Sequence, residues 1–293
     1  MSIIEEIKHS FKNGTILTKL IYINLGVFIL LHAFIAILYL FNAQDKSFAI
    51  ISWLAVPANP AILITRPWTI LTYMFLHKDF FHILFNIMWL FWFGKIFLYY
   101  FDEKKLLSIY LLGGLSGAFL YIASYNIFPV FKLQVPESMA LGASAAVMAI
   151  VIAVASFAPT HVIQLMFIGP VKIIWIALIS FILSSVVDFS ANTGGKIAHM
   201  GGAIFGYIFS LQYKQGRDIT LWFSKSISFL FTFFSMKRRK MKVTYKRTAN
   251  DFEYNAMKLE RQKEIDRILD KISHSGYESL NREEKEMLFK MGK

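Results

Sequence analysis

The 293-residue chain contains no cysteine. This absence excludes disulfide bonds, thiolate metal sites and cysteine nucleophiles, and leaves serine, histidine and carboxylate side chains to carry any chemistry. Charged residues are also scarce at 17%, whereas hydrophobic residues make up 56% and the mean hydropathy is +0.51. Soluble globular proteins are less apolar than this. The composition therefore predicts an integral membrane protein.

The N-terminal segment, residues 1–19, lacks the features of a cleaved leader. It carries two glutamates among three lysines, and no small-residue cleavage site closes the apolar segment that follows. We therefore expect that apolar segment to be retained as a membrane anchor. The N-terminal segment also lacks the Arg-rich, acid-poor character of a mitochondrial transit peptide, which favours a bacterial plasma membrane.

Six apolar segments approach the roughly 20 residues that a helix needs to cross the hydrocarbon core. They are residues 20–41, 80–100, 106–127, 144–158, 171–189 and 197–211. If all six cross, the basic clusters at the N-terminus, at Lys104 and Lys105, and in residues 237–242 fall on one side. Lysine and arginine favour the cytoplasmic side of a membrane. We therefore predict a six-transmembrane helix bundle, all-α, with both termini in the cytoplasm.

Composition divides the chain into four predicted parts. They are a cytoplasmic N-terminal segment (1–19), a six-span domain (20–214), an interfacial helix with a basic juxtamembrane segment (215–244), and a soluble helical tail (245–293). Residues 218–234 are assigned to the interface, because a seventh crossing would place the basic segment outside. The net charge of +12 lies mostly beside apolar segments. We therefore expect the lipid bilayer, and not nucleic acid, as a partner.

The tail beyond residue 245 has the composition of a soluble helical unit. A helix is expected over residues 255–272, followed by a turn at Gly276 and a second helix from about Asn281. Asn281 and Glu284 have the spacing of a capping box, in which each residue bonds the backbone N–H of the other.

Polar residues stand at the starts of three of the apolar segments. His77, His82 and Asn86 are at the second, Ser144 at the fourth and His199 at the sixth. In a six-span chain these three segments run in the same direction, so their starts share one depth on the outer side. Polar side chains at that depth normally face the bundle interior or a water-filled cavity. We therefore expect these residues to meet in one site.

Single residues of this kind also have structural explanations. A lone serine in a membrane helix commonly bonds its own backbone or bridges helices. Ser116 also follows a glycine by two positions, but it lies within a segment, where Gly113 and Gly117 have the spacing of a close helix-packing face. Ser144 instead opens a short segment, where unpaired backbone N–H groups favour a developing oxyanion. Placement therefore favours Ser144 as the functional serine.

Three motifs in order resemble those of the rhomboid family of intramembrane serine proteases. They are His82-Ile-Leu-Phe-Asn86, Gly142-Ala143-Ser144, and Ala198-His199-x-x-Gly202-x-x-x-Gly206. The resemblance covers about residues 68–206. It implies an endopeptidase that cleaves within or near the transmembrane helix of membrane-protein substrates, with no cofactor and no metal.

The resemblance also implies the roles of the residues. Ser144 would be the nucleophile and His199 its general base. The backbone N–H of Ser144 and the side chains of His82 and Asn86 would hold the oxyanion. Further glycines would allow close approach of the backbone, namely Gly142 before the serine, and Gly202 and Gly206 between the fourth and sixth helices.

Some positions depart from the family pattern. Thr69 follows Trp68 where the family often has arginine, Leu98 stands where an acidic residue is common, and Ala145 follows the serine where glycine is common. His77 is expected to organise the first loop, and Asp188 to be an interfacial cap more than a third catalytic residue. These departures do not touch the proposed serine–histidine pair.

Three other functions compete with the protease as explanations of these residues. A catalytically silent rhomboid-like protein that binds membrane clients is the alternative to an active enzyme. A metalloprotease built on His77, His82 and His199 would lack the His-Glu-x-x-His pattern and a nearby carboxylate base. A transporter would be expected to show interrupted helices or an inverted repeat, and neither is apparent in the sequence.

Overall fold

A computed structural model describes residues 2–166, 168–190, 192–235 and 251–291. Within them the chain is mostly helical. The helices are α1 (Ile3–Asn13), α2 (Ile16–Leu40), α3 (Asp45–Leu54), α4 (Pro60–Thr65), α5 (Thr69–Thr72), α6 (Phe80–Tyr100), α7 (Glu103–Ile127), α8 (Ser144–Phe157), α9 (Ile173–Ser185), α10 (Thr193–Lys214), α11 (Leu221–Ser235), α12 (Asp251–Ser275) and α13 (Arg282–Met291).

Two short antiparallel strand pairs complete the described secondary structure. β1 (Val56–Pro57) pairs with β2 (Met139–Ala140), and β3 (Val162–Leu165) pairs with β4 (Gly169–Lys172). Short 3₁₀ turns occupy Tyr73–Phe75, Pro129–Phe131 and Tyr277–Ser279. The chain divides into two compact units, Met1–Phe234 and Ser235–Lys293.

Three of the described helices, α2, α6 and α7, are long and apolar enough to cross a membrane. Helices α8 and α9 are apolar but shorter. The protein is therefore a helical integral membrane protein. That the chain crosses the membrane six times stays a prediction. The helix α9 is shorter than the predicted segment 171–189 because Val171 belongs to β4 and the residues after Ser185 form turns.

Helix α8 packs against α6, α7 and α10. Its buried residues are small or aliphatic, and Ala146, Ala149 and Ala153 have no exposed surface. Glycines on the neighbouring helices allow this close approach. A Cβ on Gly202 of α10 would overlap the carbonyl of Ala145, and one on Gly206 would overlap the carbonyl of Ala149. The first two turns of α8 are thus packed against α10 at backbone distance.

We expect Gly206→Ala to destabilise the bundle, because the obstructing atoms belong to the backbone of α8 and cannot rotate away. Overpacking of this kind costs about 1–3 kcal/mol. Thermal unfolding of the purified protein measures the effect. Gly26→Ala in α2 is the matched control, because a Cβ there meets nothing within 4 Å. Equal unfolding temperatures for the two variants would contradict the packing assigned to Gly206.

The connection between α2 and α6 is tied to the segment that precedes α8. Val56 of β1 pairs with Ala140 of β2. Within the connection, the Trp68 indole donates to the Trp53 carbonyl at 2.8 Å, and the Arg66 guanidinium lies 4.5 Å from the centre of the Trp53 ring. Arg66 therefore supplies an arginine contact in this loop although Thr69 follows Trp68.

The second unit contains the two helices predicted for the tail. Gly276 has a φ of +75°, and Asn281 and Glu284 form both bonds of the capping box at 2.8 and 2.9 Å. The turn and the capping box are thus confirmed, although α12 extends beyond the predicted range 255–272 at both ends. The basic segment 237–242, which was predicted to lie beside the membrane, is outside the described residues.

Candidate active site

A cavity of about 690 Å³ lies between α6, α8, α9 and α10. His82 and Asn86 of α6, Ser144 of α8 and His199 of α10 all line it. These residues are far apart in the sequence, and the packing of α8 against α6 and α10 brings them to one place. The remaining lining is mostly apolar, so that a polar group entering the cavity would meet few polar partners other than these.

Ser144 is the first residue of α8 and is half-buried. The two residues before it are held by the segment that precedes α6. The Gly142 N–H donates to the Tyr73 carbonyl at 2.8 Å, and the Ala143 N–H donates to Nε2 of His77 at 3.3 Å. The backbone that leads into the serine is therefore fixed by two residues before α6, one in the 3₁₀ turn (Tyr73) and one just after it (His77).

Gly142 occupies a conformation and a space that only glycine suits. Its φ is +126°, where residues with a Cβ are strained. A Cβ there would also lie 2.7 Å from Cε1 and 2.8 Å from Nε2 of His82, and 3.6 Å from the Ser144 hydroxyl oxygen. The glycine thus leaves open the space that is shared by the His82 ring and the serine.

Asn86 lies one turn after His82 on α6 and is buried. Its side-chain nitrogen donates to the His82 carbonyl at 2.8 Å. An amide NH₂ group has two hydrogens, so a second donor remains for another acceptor. The internal bond fixes the direction of the amide, and the cavity supplies the place where that second hydrogen can act.

His199 has a backbone partner on α9. Its Nδ1 lies 3.0 Å from the carbonyl oxygen of Ser184. Because a carbonyl only accepts, Nδ1 must carry the proton, and Nε2 of the neutral ring keeps a lone pair. Within the described residues no hydrogen bond joins His199 to the Ser144 hydroxyl. Catalytic hydrogen bonds are often long before substrate is bound.

The other candidate residues have different partners. The Ser116 hydroxyl donates to the Gly201 carbonyl at 2.9 Å, which bridges α7 to α10. The Asp188 carboxylate accepts from the Ser190 hydroxyl at 3.0 Å. The Nδ1 position of His199, where a third catalytic residue would bind, therefore faces the Ser184 carbonyl and not the Asp188 carboxylate.

His77 lies in the loop before α6 and is fully buried. Its Nε2 accepts the Ala143 N–H, which requires the neutral ring. Burial, together with the neighbouring His82, lowers the pKa of His77 from 6.5 to about 4. The ring therefore stays neutral at physiological pH and keeps its bond to the loop before Ser144.

We expect His77 to make the stability of the protein depend on pH. Its pKa is lower in the folded state, so the unfolded chain binds more protons between pH 6.5 and about 4. Its contribution is complete above pH 6.5 and is lost as the pH falls toward 4, by at most about 1.4 kcal/mol per pH unit. Thermal unfolding across this range should show a flatter profile for His77→Gln than for the wild type.

The glutamine side chain can still accept from the Ala143 N–H but does not titrate. His9→Gln is the control for this comparison, because His9 is exposed on α1. Its profile should follow that of the wild type. If the His77→Gln and wild-type profiles are parallel, the assigned role of His77 is wrong.

Several groups that orient this site could not be predicted from the residue types in the sequence. The Tyr73 and Ser184 carbonyls act through the backbone, which every residue possesses. His77 was predicted to organise the first loop, and its bond to Ala143 extends that role to the loop before Ser144. Among the described residues, no group of three or more His, Asp or Glu side chains is placed to hold a metal ion.

The helical bundle and its polar cavity define the class of the molecule, which is an integral membrane protein with a serine and histidines between its helices. Residues 65–215, about half of the chain, match the Rhomboid domain family. The chain therefore belongs to the rhomboid family. Residues 249–292 match a second family, described as a family of unknown function (DUF6576).

A curated relative is also similar. It is the "RHOMBOID-like protein 12, mitochondrial" of Arabidopsis thaliana, which is 30% identical over 162 residues. The match covers 52% of this chain and 48% of the relative. The chain thus spans about half the length of the curated relative that it matches.

Proposed function

We propose that the protein is an intramembrane serine endopeptidase that hydrolyses peptide bonds within or near the transmembrane helix of other membrane proteins. The observation that carries this proposal is the single cavity lined by Ser144, His199, His82 and Asn86. Family membership supports the reaction class, because rhomboids are typically serine proteases. The roles of the individual residues are the proposal.

In the first step Nε2 of His199 takes the proton of the Ser144 hydroxyl, whose oxygen attacks the carbonyl carbon of the scissile bond. The proton on Nδ1, held toward the Ser184 carbonyl, leaves Nε2 as the base. The resulting oxyanion would be held by the Ser144 backbone N–H with the side chains of His82 and Asn86. The helix N-terminus at Ser144 adds favourable dipoles.

In the second half of the reaction, the protonated His199 gives its proton to the leaving amine, and the C–N bond breaks. An acyl-enzyme ester on Ser144 remains. Water then attacks the ester while His199 takes one of its protons, and the proton returns to the serine oxygen as the acid product leaves. Because a helix hides its carbonyl groups, the substrate must unwind locally to reach the cavity.

The membrane arrangement is part of the proposal. Six crossings with both termini in the cytoplasm would place the cavity toward the outer side, since α6, α8 and α10 would all start there. The basic clusters of the sequence support this orientation. A bacterial plasma membrane stays a prediction from the sequence.

A serine-directed fluorophosphonate probe tests the proposal in native membranes. We expect the wild type to be labelled, Ser144→Ala to lose the label, and Ser116→Ala to keep it, since Ser116 is bonded to the α10 backbone. Labelling insensitive to Ser144→Ala would overturn the assignment. An unlabelled wild type that still binds membrane clients would instead favour the catalytically silent alternative.

A further inference from the structure

The helix α1 carries an apolar stripe whose side chains the described part of the chain leaves 43–76% exposed. Ile3, Ile4 and Ile7 are 76%, 65% and 47% exposed, and Phe11 is 43% exposed. At about 100° per residue these four side chains fall within one third of the helix circumference. Glu5, His9 and Asn13 stand on the opposite side. The helix is therefore amphipathic along its whole length.

Both ends of the helix are stabilised by its own residues and by Ser2. Ser2 and Glu5 make a capping box at its start, with both bonds present at 3.3 and 3.0 Å. Lys12 lies in its last turn, where a positive charge is favourable. The Phe11 ring lies 6.3 Å from the Tyr22 ring of α2, whereas Ile3 and Ile4, near the start of the helix, are the most exposed residues of the stripe.

The joint between α1 and α2 is short and pinned. Only Gly14 and Thr15 separate the helices, so α1 ends within about 10 Å of the start of α2. The Ile16 N–H donates to the Glu103 carboxylate of α7 at 2.8 Å, and the Tyr22 hydroxyl donates to the Ser10 hydroxyl at 3.3 Å. The direction of α1 is therefore set by contacts with the bundle.

The position of this joint indicates what covers the stripe. Helix α2 is long and apolar enough to cross the bilayer, so its first turn lies at a membrane surface. Helix α1 is attached to that turn by only two residues, Gly14 and Thr15, so its exposed apolar stripe starts close to the same surface. This placement does not depend on which side of the membrane the N-terminus occupies.

We propose that α1 lies in the membrane interface, with its apolar stripe buried about 5–10 Å into the boundary between headgroups and acyl chains. It holds the start of α2 at the membrane surface, and through the Ile16–Glu103 bond it also holds the start of α7. Lys8 flanks the stripe on one side and can reach lipid phosphates. This inference is independent of the proposed proteolysis.

The absence of cysteine makes a clean test possible, because one introduced cysteine gives one spin label. The full chain is reconstituted in vesicles of phosphatidylethanolamine and phosphatidylglycerol with a label at Ile7→Cys or Ile3→Cys, and His9→Cys serves as the matched control. Collision of each label with oxygen, which partitions into lipid, and with a water-soluble nickel chelate is measured by electron paramagnetic resonance.

We expect the ratio of oxygen to nickel accessibility to be severalfold higher at positions 3 and 7 than at position 9. High nickel accessibility at all three positions would overturn the proposal, because the helix would lie in water. Low accessibility of positions 3 and 7 to both reagents would also overturn it, because protein would then cover the stripe. Spin–spin broadening that disappears on dilution with unlabelled chain would identify that protein as a second copy.

Discussion

Replacing Ser144 with alanine should abolish cleavage of a membrane-protein substrate. The change removes the oxygen that attacks the scissile carbonyl in the proposed mechanism, and losses of about 10⁶-fold in kcat accompany such changes in serine proteases. The methyl group of alanine fits the half-buried position, so the fold should persist. Cleavage of a transmembrane substrate by the purified protein in vesicles, followed by product mass, measures the effect.

Ser116→Ala is the matched control for this experiment. Both serines follow a glycine by two positions, and both lie in helices of the same bundle. Loss of the Ser116 bond to the Gly201 carbonyl should cost about 1 kcal/mol of stability and leave the rate close to that of the wild type. If Ser144→Ala cleaves as fast as the wild type, or if Ser116→Ala alone is inactive, the nucleophile has been misassigned.

A companion variant tests the pairing of Ser144 with His199. Residues that act as one unit give losses that do not add. We therefore expect His199→Ala to be about as inactive as Ser144→Ala, and the double variant to be no worse than either. A double variant that loses the product of the two single effects would indicate that the residues act separately.

The sequence was most informative where side chains are apolar or where a cap has a fixed spacing. The helices α6 and α7 and the capping box at Asn281 could be predicted because hydropathy and the Asn–Glu spacing are properties of residue type. The helix α1 was missed because its charges lower its mean hydropathy. The start of α10 was missed for a similar reason, since Gly194, Gly195 and Lys196 are not apolar.

In the candidate site, too, residue type predicted some features and not others. Its side chains could be proposed from motifs, but what orients them could not. The Ser184 carbonyl selects the tautomer of His199, and the Tyr73 carbonyl holds Gly142. Backbone acceptors of this kind depend on how helices cross, and no residue type encodes them. Gly142 is the position where residue type says most about the geometry of the site, because both its backbone conformation and the space around it require glycine.

Replacing Gly142 with alanine should therefore reduce the cleavage rate strongly while the chain still folds. The added Cβ would lie 2.7 Å from the His82 ring and push it from the position in which we propose that it holds the oxyanion. Loss of one oxyanion donor typically costs about 10²–10³ in kcat. The left-handed φ of +126° adds backbone strain, and substrate cleavage and thermal unfolding measured on the same preparation record the two effects.

Gly169→Ala is the control that separates the effect of backbone strain from the effect of a collision between the new Cβ and a neighbouring side chain. Gly169 also has a positive φ, of +90°, but a Cβ there meets nothing within 4 Å. This control should lose some stability and keep its rate. If collision with His82 causes the loss, Gly142→Ala in a His82→Ala background should cost little further activity, because neighbouring residues couple. An equal fold-loss in both backgrounds would show that Gly142 acts on the serine loop and not through His82.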